Sequence, residues 1–184
     1  ENGLKEFGLQ DNIKTIFLFG GSQGSSYLNK LISKIIEKLS GGGLQLLWQT
    51  GDLEYRKYKK MESSNIRIIP FINNMADAYA ISDLLICRSG ALTISEITVC
   101  GKPAILVPFP HAAGDHQTKN AQSLEIAGAA KILTERELTP NKFAYTIMSL
   151  IHDNIKLHKM GKQSFSLGKP NATKDIVNQI FNTI

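Results

Sequence analysis

The stretch 88–96, Arg-Ser-Gly-Ala-Leu-Thr-Ile-Ser-Glu, holds the residues whose types and spacing best suit binding chemistry. It follows an apolar run, 83–87, that is typical of a short buried strand, and a helical pattern begins at once after it. Ser89 is predicted as the N-cap of this helix, where free backbone N–H groups suit an anion. Thr93 and Glu96 share one helix face, and a carboxylate there suits a pair of sugar hydroxyls. Anion and diol chemistry side by side predict a nucleotide-sugar or dinucleotide ligand.

A second segment of this kind is 20–24, Gly-Gly-Ser-Gln-Gly, which follows a continuous apolar run. It lacks the spacing of the dinucleotide fingerprint and the lysine of a Walker-type phosphate loop. Its small residues would still admit a phosphate, to which backbone N–H groups and the Ser22 hydroxyl can donate. The alternative is a tight strand-to-helix turn that needs glycine for its geometry alone.

The loop 109–116 contains His111, Asp115 and His116. We predict no metal site, because no convincing third ligand accompanies them, and no other cofactor. No serine or cysteine nucleophile elbow is present for a histidine to activate. Gln117 and Asn120 lie at the start of the next predicted helix and suit neutral sugar hydroxyls.

At two further positions, the residue types alone allow two interpretations. Arg88 pairs with an anion or simply caps the end of the sheet. Phe71 and Ile72, which follow a predicted strand, flank a nucleotide base or pack in the ordinary way.

Composition favours one compact domain over residues 1–184, since 42% of the chain is hydrophobic and no apolar run approaches the roughly 20 residues of a membrane span. The first residues lack the apolar region of a signal peptide. A net charge of +5 would suit nucleic acid, a membrane surface or a phosphorylated substrate. We favour solvated helix faces and predict no nucleic-acid partner. Cys87 and Cys100 are predicted to be reduced, buried thiols, as in the cytoplasm.

Apolar runs alternate with helical patterns along the chain, which predicts a doubly wound, mostly parallel, six-stranded α/β sheet. The predicted strands are 14–19, 44–49, 66–70, 84–87, 104–108 and 130–133. The predicted helices are 28–39, 53–61, 75–81, 91–100 and 117–127, with helical pattern after Pro140. Right-handed crossovers would bring five loops to one end of the sheet, where ligands bind: 20–25, 50–52, 71–74, 88–90 and 109–116.

These motifs, in this order, resemble the C-terminal half of the MurG family of bacterial N-acetylglucosaminyltransferases. The segments that carry the resemblance are 20–24, 71–75, 88–96, 101–104 (Gly-Lys-Pro-Ala) and 115–121 (Asp-His-Gln-Thr-Lys-Asn-Ala). The resemblance runs from about Phe7 to the C-terminus. It implies the Rossmann-like, donor-binding half of a two-domain GT-B glycosyltransferase.

By position, the resemblance implies a backbone contact from Ile72 to uracil with Phe71 nearby, and a contact from Glu96 to the ribose hydroxyls. It places the glycine loop at the diphosphate and His116, Gln117 and Asn120 at the sugar, although His116 stands where the family commonly has glutamine. The implied substrate-binding set is Gly21, Ser22, Gln23, Gly24, Phe71, Ile72, Arg88, Ser89, Gly90, Ala91, Leu92, Thr93, Glu96, His116, Gln117 and Asn120.

The resemblance also implies an inverting enzyme that transfers N-acetylglucosamine from UDP-N-acetylglucosamine to lipid I and forms lipid II in peptidoglycan synthesis. The resemblance further implies that this enzyme is cytoplasmic and peripheral on the inner face of the cell membrane. The acceptor site and general base would lie in an N-terminal half, against which helices in 140–184 would pack. No catalytic residue is therefore expected in this half, and we expect the chain to bind the donor but to be inactive alone.

Two alternatives remain. The first is a non-catalytic UDP-N-acetylglucosamine-binding subunit of a two-chain membrane glycosyltransferase. The second is half of an NAD-dependent dehydrogenase, which is disfavoured because Gln49 stands where the second strand would need an acidic residue.

Overall fold

The computed structural model describes residues 2–182, and within them six parallel strands form one sheet in the order β3-β2-β1-β4-β5-β6. The strands are β1 Thr15–Phe19, β2 Gln45–Gln49, β3 Ile66–Ile69, β4 Leu84–Cys87, β5 Ala104–Leu106 and β6 Ala130–Ile132. The predicted doubly wound α/β class is therefore confirmed. Each strand ends at or slightly before its predicted limit.

Helices cover both faces of this sheet. They are α1 Asn2–Phe7, α2 Ser26–Ser33, α3 Ile36–Gly41, α4 Asp52–Tyr58, α5 Met75–Ile81, α6 Ala91–Val99, α7 His116–Ile126, α8 Pro140–Ile151, α9 Asn154–Leu167 and α10 Ala172–Phe181. Short 3₁₀ turns lie at Lys59–Met61, Ala113–Asp115 and Glu135–Glu137.

The single helix predicted over 28–39 is divided into α2 and α3. The N–H groups of Lys34 and Ile35 bond carbonyls three residues back, at 3.2 and 3.0 Å, which tightens the backbone and ends α2. The break leaves Ile35, Ile36 and Leu39 buried. The apolar spacing that suggested one helix therefore belongs to two helices that share one buried surface.

The core has two layers, one on each face of the sheet. Trp48 packs in the first layer with residues of α2, α3 and α8. Phe17 and Phe19 pack in the second with residues of α1, α5, α6 and α7. Every position of β1 and β2 is buried, as expected for parallel strands covered on both faces, and this explains their continuous apolar runs.

The strand order reverses between β1 and β4. β1 pairs with β2 on one side and with β4 on the other, and Phe19 stands opposite Cys87 in the β1–β4 register. The loops that begin at Gly20 and Arg88 consequently leave the sheet side by side and then diverge. Such a switch point opens a crevice at the carboxyl ends of the strands.

The two cysteines differ in environment. Cys87 is buried, as predicted, and burial raises the pKa of its thiol well above the ordinary value. Cys100 is exposed, so the prediction of a buried thiol was wrong there. The reason is its position at the C-terminal end of α6, past Ile97, which faces the core.

The last helix, α10, has no buried residue. All of its residues are exposed, including the apolar side chains of Ile176, Val177, Ile180 and Phe181. Within residues 2–182, no helix has the length and apolar character needed to cross a membrane.

Candidate functional site

The glycine loop after β1 is held tightly against the loop after β2. Gly24 has φ of +78°, and a Cβ there would collide with the backbone carbonyl of Thr50. Gly51 has φ of +80° and would collide in the same way with the carbonyl of Gln23. Gly21, at φ +92°, instead borders open space. The tight turn alone therefore explains why glycine is needed at position 24, whereas the open space beside Gly21 leaves room for a ligand.

Arg88 follows β4 and is almost fully buried, with 9% exposure. Its Nη1 donates to the carbonyls of Val107 and Pro108 at 3.0 and 3.2 Å, and its Nη2 donates to Ser25 Oγ at 3.0 Å. Arg88 thus joins the ends of β4 and β5 to the start of α2. These bonds describe a cap on the end of the sheet, and the contact of Arg88 with a ligand anion stays a prediction.

A carboxylate completes the surroundings of Arg88. Glu135 Oε1, in the turn after β6, lies 2.6 Å from Arg88 Nη2. Within the described part of the chain, Glu135 Oε1 makes no aligned hydrogen bond, so the contact with Arg88 is a charge pair. Tyr27 donates through its hydroxyl to the Glu135 carbonyl at 3.1 Å. Burial and the Glu135 carboxylate raise the pKa of Tyr27, although the Arg88 charge opposes them.

These groups surround a cleft of about 580 Å³ at the switch point. Its lining includes Gly20, Gly21, Gln23 and Gly24, the first residues of α2 and the start of α6. Ser22 lies outside this lining, so its contact with a phosphate stays a prediction. Ser25 caps α2, since its Oγ accepts from the Leu28 N–H at 3.4 Å. A Cβ on Gly90 would meet nothing closer than Thr93 Oγ1 at 4.0 Å, so this approach is open. The first turns of two helices, α2 and α6, therefore border one cleft, and the starts of helices suit an anion.

The predicted N-cap role of Ser89 was wrong. Gly90 holds the cap position of α6, with no side-chain cap bond. Ser89 is fully buried, and its Oγ donates at 2.8 Å to the backbone carbonyl of Gln117 on α7. The Ser89 hydroxyl thus bonds a residue distant in sequence and does not cap α6.

The predicted sugar-binding side chains lie at the start of α7 and largely contact backbone. Gln117 Oε1 accepts from the N–H groups of Ser89 and Phe109, at 3.3 and 3.0 Å. Asn120 Nδ2 donates to the Ser89 carbonyl at 3.0 Å. His116 is exposed, and its Nδ1 lies 2.6 Å from the Ala113 carbonyl. Gln117 lines the cleft, whereas His116 and Asn120 lie outside its lining. Their sugar contacts stay predictions.

Gln49, at the end of β2, joins two of the predicted segments. Its Oε1 accepts from the Ile72 N–H at 2.9 Å, and its Nε2 donates to the Gly21 carbonyl at 3.1 Å. Ile72 is buried and Phe71 is 44% exposed. The predicted uracil-binding segment is therefore fixed relative to the glycine loop, although its side chains do not line the 580 Å³ cleft.

Glu96 lies on the exposed face of α6, one turn after Thr93. Its Oε2 accepts a hydrogen bond of 2.7 Å from the hydroxyl of Tyr79 on α5. Tyr79 also contacts Phe19, the residue that precedes the glycine loop. Leu92, 81% exposed, stands one residue before Thr93. The predicted diol-binding carboxylate is therefore at the same end of the sheet as the cleft, but it does not line it.

Five lining residues were not among the predicted substrate-binding residues: Ser25, Ser26, Tyr27, Phe109 and Glu135. Ser25 follows the glycine loop directly, and Glu135 follows the sixth strand, so the rule that ligands bind at strand carboxyl ends could have indicated both. Among residues 2–182, no group of three or more His, Cys, Asp or Glu side chains is arranged to hold a metal ion.

A cleft of about 580 Å³ at the switch point of a parallel sheet is typical of a Rossmann-like domain, and the family and structural matches show this one to be the C-terminal half of a GT-B glycosyltransferase. Solved structures with this fold include UDP-GlcNAc 2-epimerase from Neisseria meningitidis, with a TM-score of 0.68 and 17% identity over 98% of this chain and 48% of that one. The sequence also matches a family description over residues 15–180. The chain belongs to the glycosyltransferase family 28 C-terminal domain.

Closer similarity is found to one kind of enzyme. Relatives from Chlorobium phaeobacteroides and Flavobacterium psychrophilum, 39% and 41% identical over 95% and 97% of this chain, are each a UDP-N-acetylglucosamine--N-acetylmuramyl-(pentapeptide) pyrophosphoryl-undecaprenol N-acetylglucosamine transferase. The crystal structure of Acinetobacter baumannii MurG has a TM-score of 0.85 and 33% identity over 98% of this chain and 53% of that one. This chain spans 48% of the length of each of the two relatives.

Proposed function

We propose that this chain is the donor-binding domain of an inverting glycosyltransferase. The whole enzyme would transfer N-acetylglucosamine from UDP-N-acetylglucosamine to lipid I and form lipid II in peptidoglycan synthesis. The matched relatives are named as transferases of this sugar. Since this chain spans about half of their length, the acceptor site and the general base are assigned to the other half.

One observation carries the proposal: two helix N-termini and a carboxylate lie at the same end of the sheet. The starts of α2 and α6 border the cleft, and Glu96 lies one turn along α6. Backbone N–H groups at helix starts suit a diphosphate. An exposed carboxylate suits the two hydroxyls of a ribose, to which it can offer its acceptor lone pairs. The two kinds of chemistry match the two parts of a UDP ligand.

The chemical contribution of this domain would be electrostatic. When the bond between sugar and diphosphate breaks, negative charge grows on the departing UDP. The N–H groups at Ser26 and Ala91 are fixed by the fold, so they stabilise this charge without reorganisation. The acceptor hydroxyl would attack the anomeric carbon from the opposite side, which inverts its configuration.

Location and acceptor follow from the same proposal. The lipid-linked acceptor requires a membrane surface, so we propose a peripheral protein on the cytoplasmic side of the cell membrane. The contact with lipid I is assigned to the half of the enzyme that this chain does not include. We therefore expect no lipid II from this chain alone, and measurable lipid II formation by it would contradict the division of roles.

Calorimetric titration with UDP-N-acetylglucosamine, UDP and UDP-glucose tests the donor site. We expect binding that Glu96→Ala weakens by about 1–3 kcal/mol, as for a lost hydrogen bond to a charged group. Glu37→Ala, at an exposed position of α3, is the matched control and should leave binding unchanged. Failure of the folded wild-type chain to bind any uridine ligand would refute the proposal. A preference for the N-acetyl sugar would assign that specificity to this half.

A further inference from the structure

Tyr79 contacts the carboxylate that is proposed to bind ribose. Its hydroxyl donates to Glu96 Oε2 at 2.7 Å. Tyr79 is 3% exposed, whereas Glu96 belongs to the exposed face of α6. The hydrogen bond therefore joins a residue fixed in the core to a residue at the surface.

The ring of Tyr79 is held by the aromatic residues of β1. Phe17 and Phe19 contact it edge to face, each with ring centroids 6.0 Å from that of Tyr79, and the two phenylalanines stack on each other at 4.6 Å. This arrangement leaves the phenol oxygen little freedom. Phe19 is the last residue of β1, and the glycine loop that lines the cleft follows it directly. The same strand therefore positions both the Tyr79 ring and one side of the cleft.

The proton on Tyr79 is permanent at physiological pH. Burial raises the pKa of Tyr79 well above the ordinary value of 10.0, and the Glu96 carboxylate raises it further. Tyr79 therefore acts as the donor and Glu96 as the acceptor in this bond. An exposed glutamate would otherwise exchange among several rotamers, and the tyrosine selects one of them.

The selected rotamer leaves acceptor capacity for a ligand. Each carboxylate oxygen has two lone pairs, and the bond from Tyr79 uses one pair of Oε2. The carboxylate can still accept from two adjacent hydroxyls, while the tyrosine fixes the direction in which it does so. Fixing the rotamer before the ligand arrives removes an ordering cost from binding.

We infer that Tyr79 is a positioning residue for ribose recognition: it orients the Glu96 carboxylate toward the 2′ and 3′ hydroxyls of the bound nucleotide. This inference rests on the proposed function, because it assumes that Glu96 meets a ribose. It assigns to Tyr79 a part of the discrimination between ribose and 2′-deoxyribose, although Tyr79 itself is buried.

The test compares UDP with 2′-deoxy-UDP by calorimetry, for the wild type and for Tyr79→Phe. The wild type should prefer UDP by roughly tenfold or more, and Tyr79→Phe should reduce this preference by roughly 3- to 10-fold through weaker UDP binding. Affinity for 2′-deoxy-UDP should change little. Phenylalanine keeps the ring packing, so a cooperative thermal transition and an unchanged near-UV circular dichroism spectrum can verify the fold.

A double-mutant cycle with Glu96→Gln distinguishes an effect of Tyr79 on the Glu96 carboxylate from a general effect of Tyr79 on the fold. If Tyr79 acts through Glu96, the double variant Tyr79→Phe/Glu96→Gln should bind UDP no more weakly than Glu96→Gln alone. Tyr145→Phe, at a 76% exposed tyrosine of α8, is the control and should keep the full preference for UDP.

Three results would overturn the inference while leaving the donor site intact. They are an unchanged UDP preference in Tyr79→Phe, an equal loss of affinity for both nucleotides, and effects of Tyr79→Phe and Glu96→Gln that simply add. A folded wild type that binds neither nucleotide would instead refute the proposed function, and the inference with it.

Discussion

Asn29 on α2 is the buried polar residue whose removal we expect to disturb the fold most specifically. It is 1% exposed. Its Oδ1 accepts from Trp48 Nε1 at 2.8 Å, and its Nδ2 donates to the Thr50 carbonyl at 2.8 Å and to Glu54 Oε2 at 2.7 Å. The side-chain amide of Asn29 thus joins α2 to β2, to the loop after β2 and to α4. Asn29→Ala removes all three bonds and supplies no replacement.

The magnitude follows from the partners left behind. The indole N–H of Trp48 is completely buried, and leaving such a donor unpaired costs about 1–3 kcal/mol. The bond to the Thr50 carbonyl contributes about 0.5–1.5 kcal/mol. The Glu54 carboxylate is partly exposed and recovers water, so its loss adds less than about 1 kcal/mol. We therefore expect Asn29→Ala to lower the free energy of unfolding by about 2–5 kcal/mol.

Urea unfolding followed by fluorescence measures this change directly, because Trp48 is the sole tryptophan of the chain. The native emission of Asn29→Ala should also shift, since the indole has lost its acceptor. The same substitution at exposed Asn178 of α10 is the control and should alter stability by less than about 0.5 kcal/mol. A loss below about 1 kcal/mol for Asn29→Ala would show that the three bonds contribute little, and would refute the reasoning.

Three further predictions concern the loops and the ionisable groups. Gly24→Ala should lower the free energy of unfolding in urea by at least about 2 kcal/mol, because Gly24 has a positive φ and a Cβ there would collide with Thr50. The control is Gly41→Ala, at an open position in α3, which should be neutral or stabilising by up to about 1 kcal/mol. Partial burial raises the pKa of Glu62, but hydrogen bonds from Lys59 and the Ile68 N–H, with the Arg67 charge, outweigh it and hold this pKa below 4.5. The stability from ionised Glu62 is therefore present above pH 4.5 and lost as pH falls through the folded-state pKa. Glu62→Gln should accordingly be less stable than the wild type at pH 7 in urea, and the difference should shrink as the pH is lowered below 4.5; a difference that stays constant over that range would contradict this. Only Cys100 should react with a thiol reagent in the native protein, and Cys87 should follow on unfolding; two reactive native thiols would contradict the burial of Cys87.

The sequence was sufficient for the sheet because parallel strands covered on both faces must be apolar along their whole length. The run from Ile16 to Phe19 and the run from Leu84 to Cys87 have no other easy interpretation. The loops after the strands were equally predictable, since parallel strands bring their carboxyl ends together. The break between α2 and α3 was not, because the buried face keeps its apolar spacing across Lys34 and Ile35.

The site was predictable in its location but not in its contacts. The N-cap prediction for Ser89 was wrong because the Ser89 hydroxyl bonds the carbonyl of Gln117, 28 positions away, and not an N–H group of the following helix. The bonds of Arg88 to Val107 and Ser25 also join residues far apart in sequence. Such partners depend on side-chain geometry that only the folded chain defines, so spacing rules identify the residues and leave their bonding open.

The order in which this molecule can acquire its ligand follows from the switch point. The N–H group of Thr15 bonds the carboxylate of Asp83, 68 positions away, at the start of the β1–β4 pairing. Closing so long a loop is slow relative to forming local helices. The two sides of the cleft, Gly20 and Arg88, meet only when this pairing is complete. Under the proposed function, a nucleotide present during refolding should therefore leave the early steps unchanged and bind the chain only after β4 has joined β1.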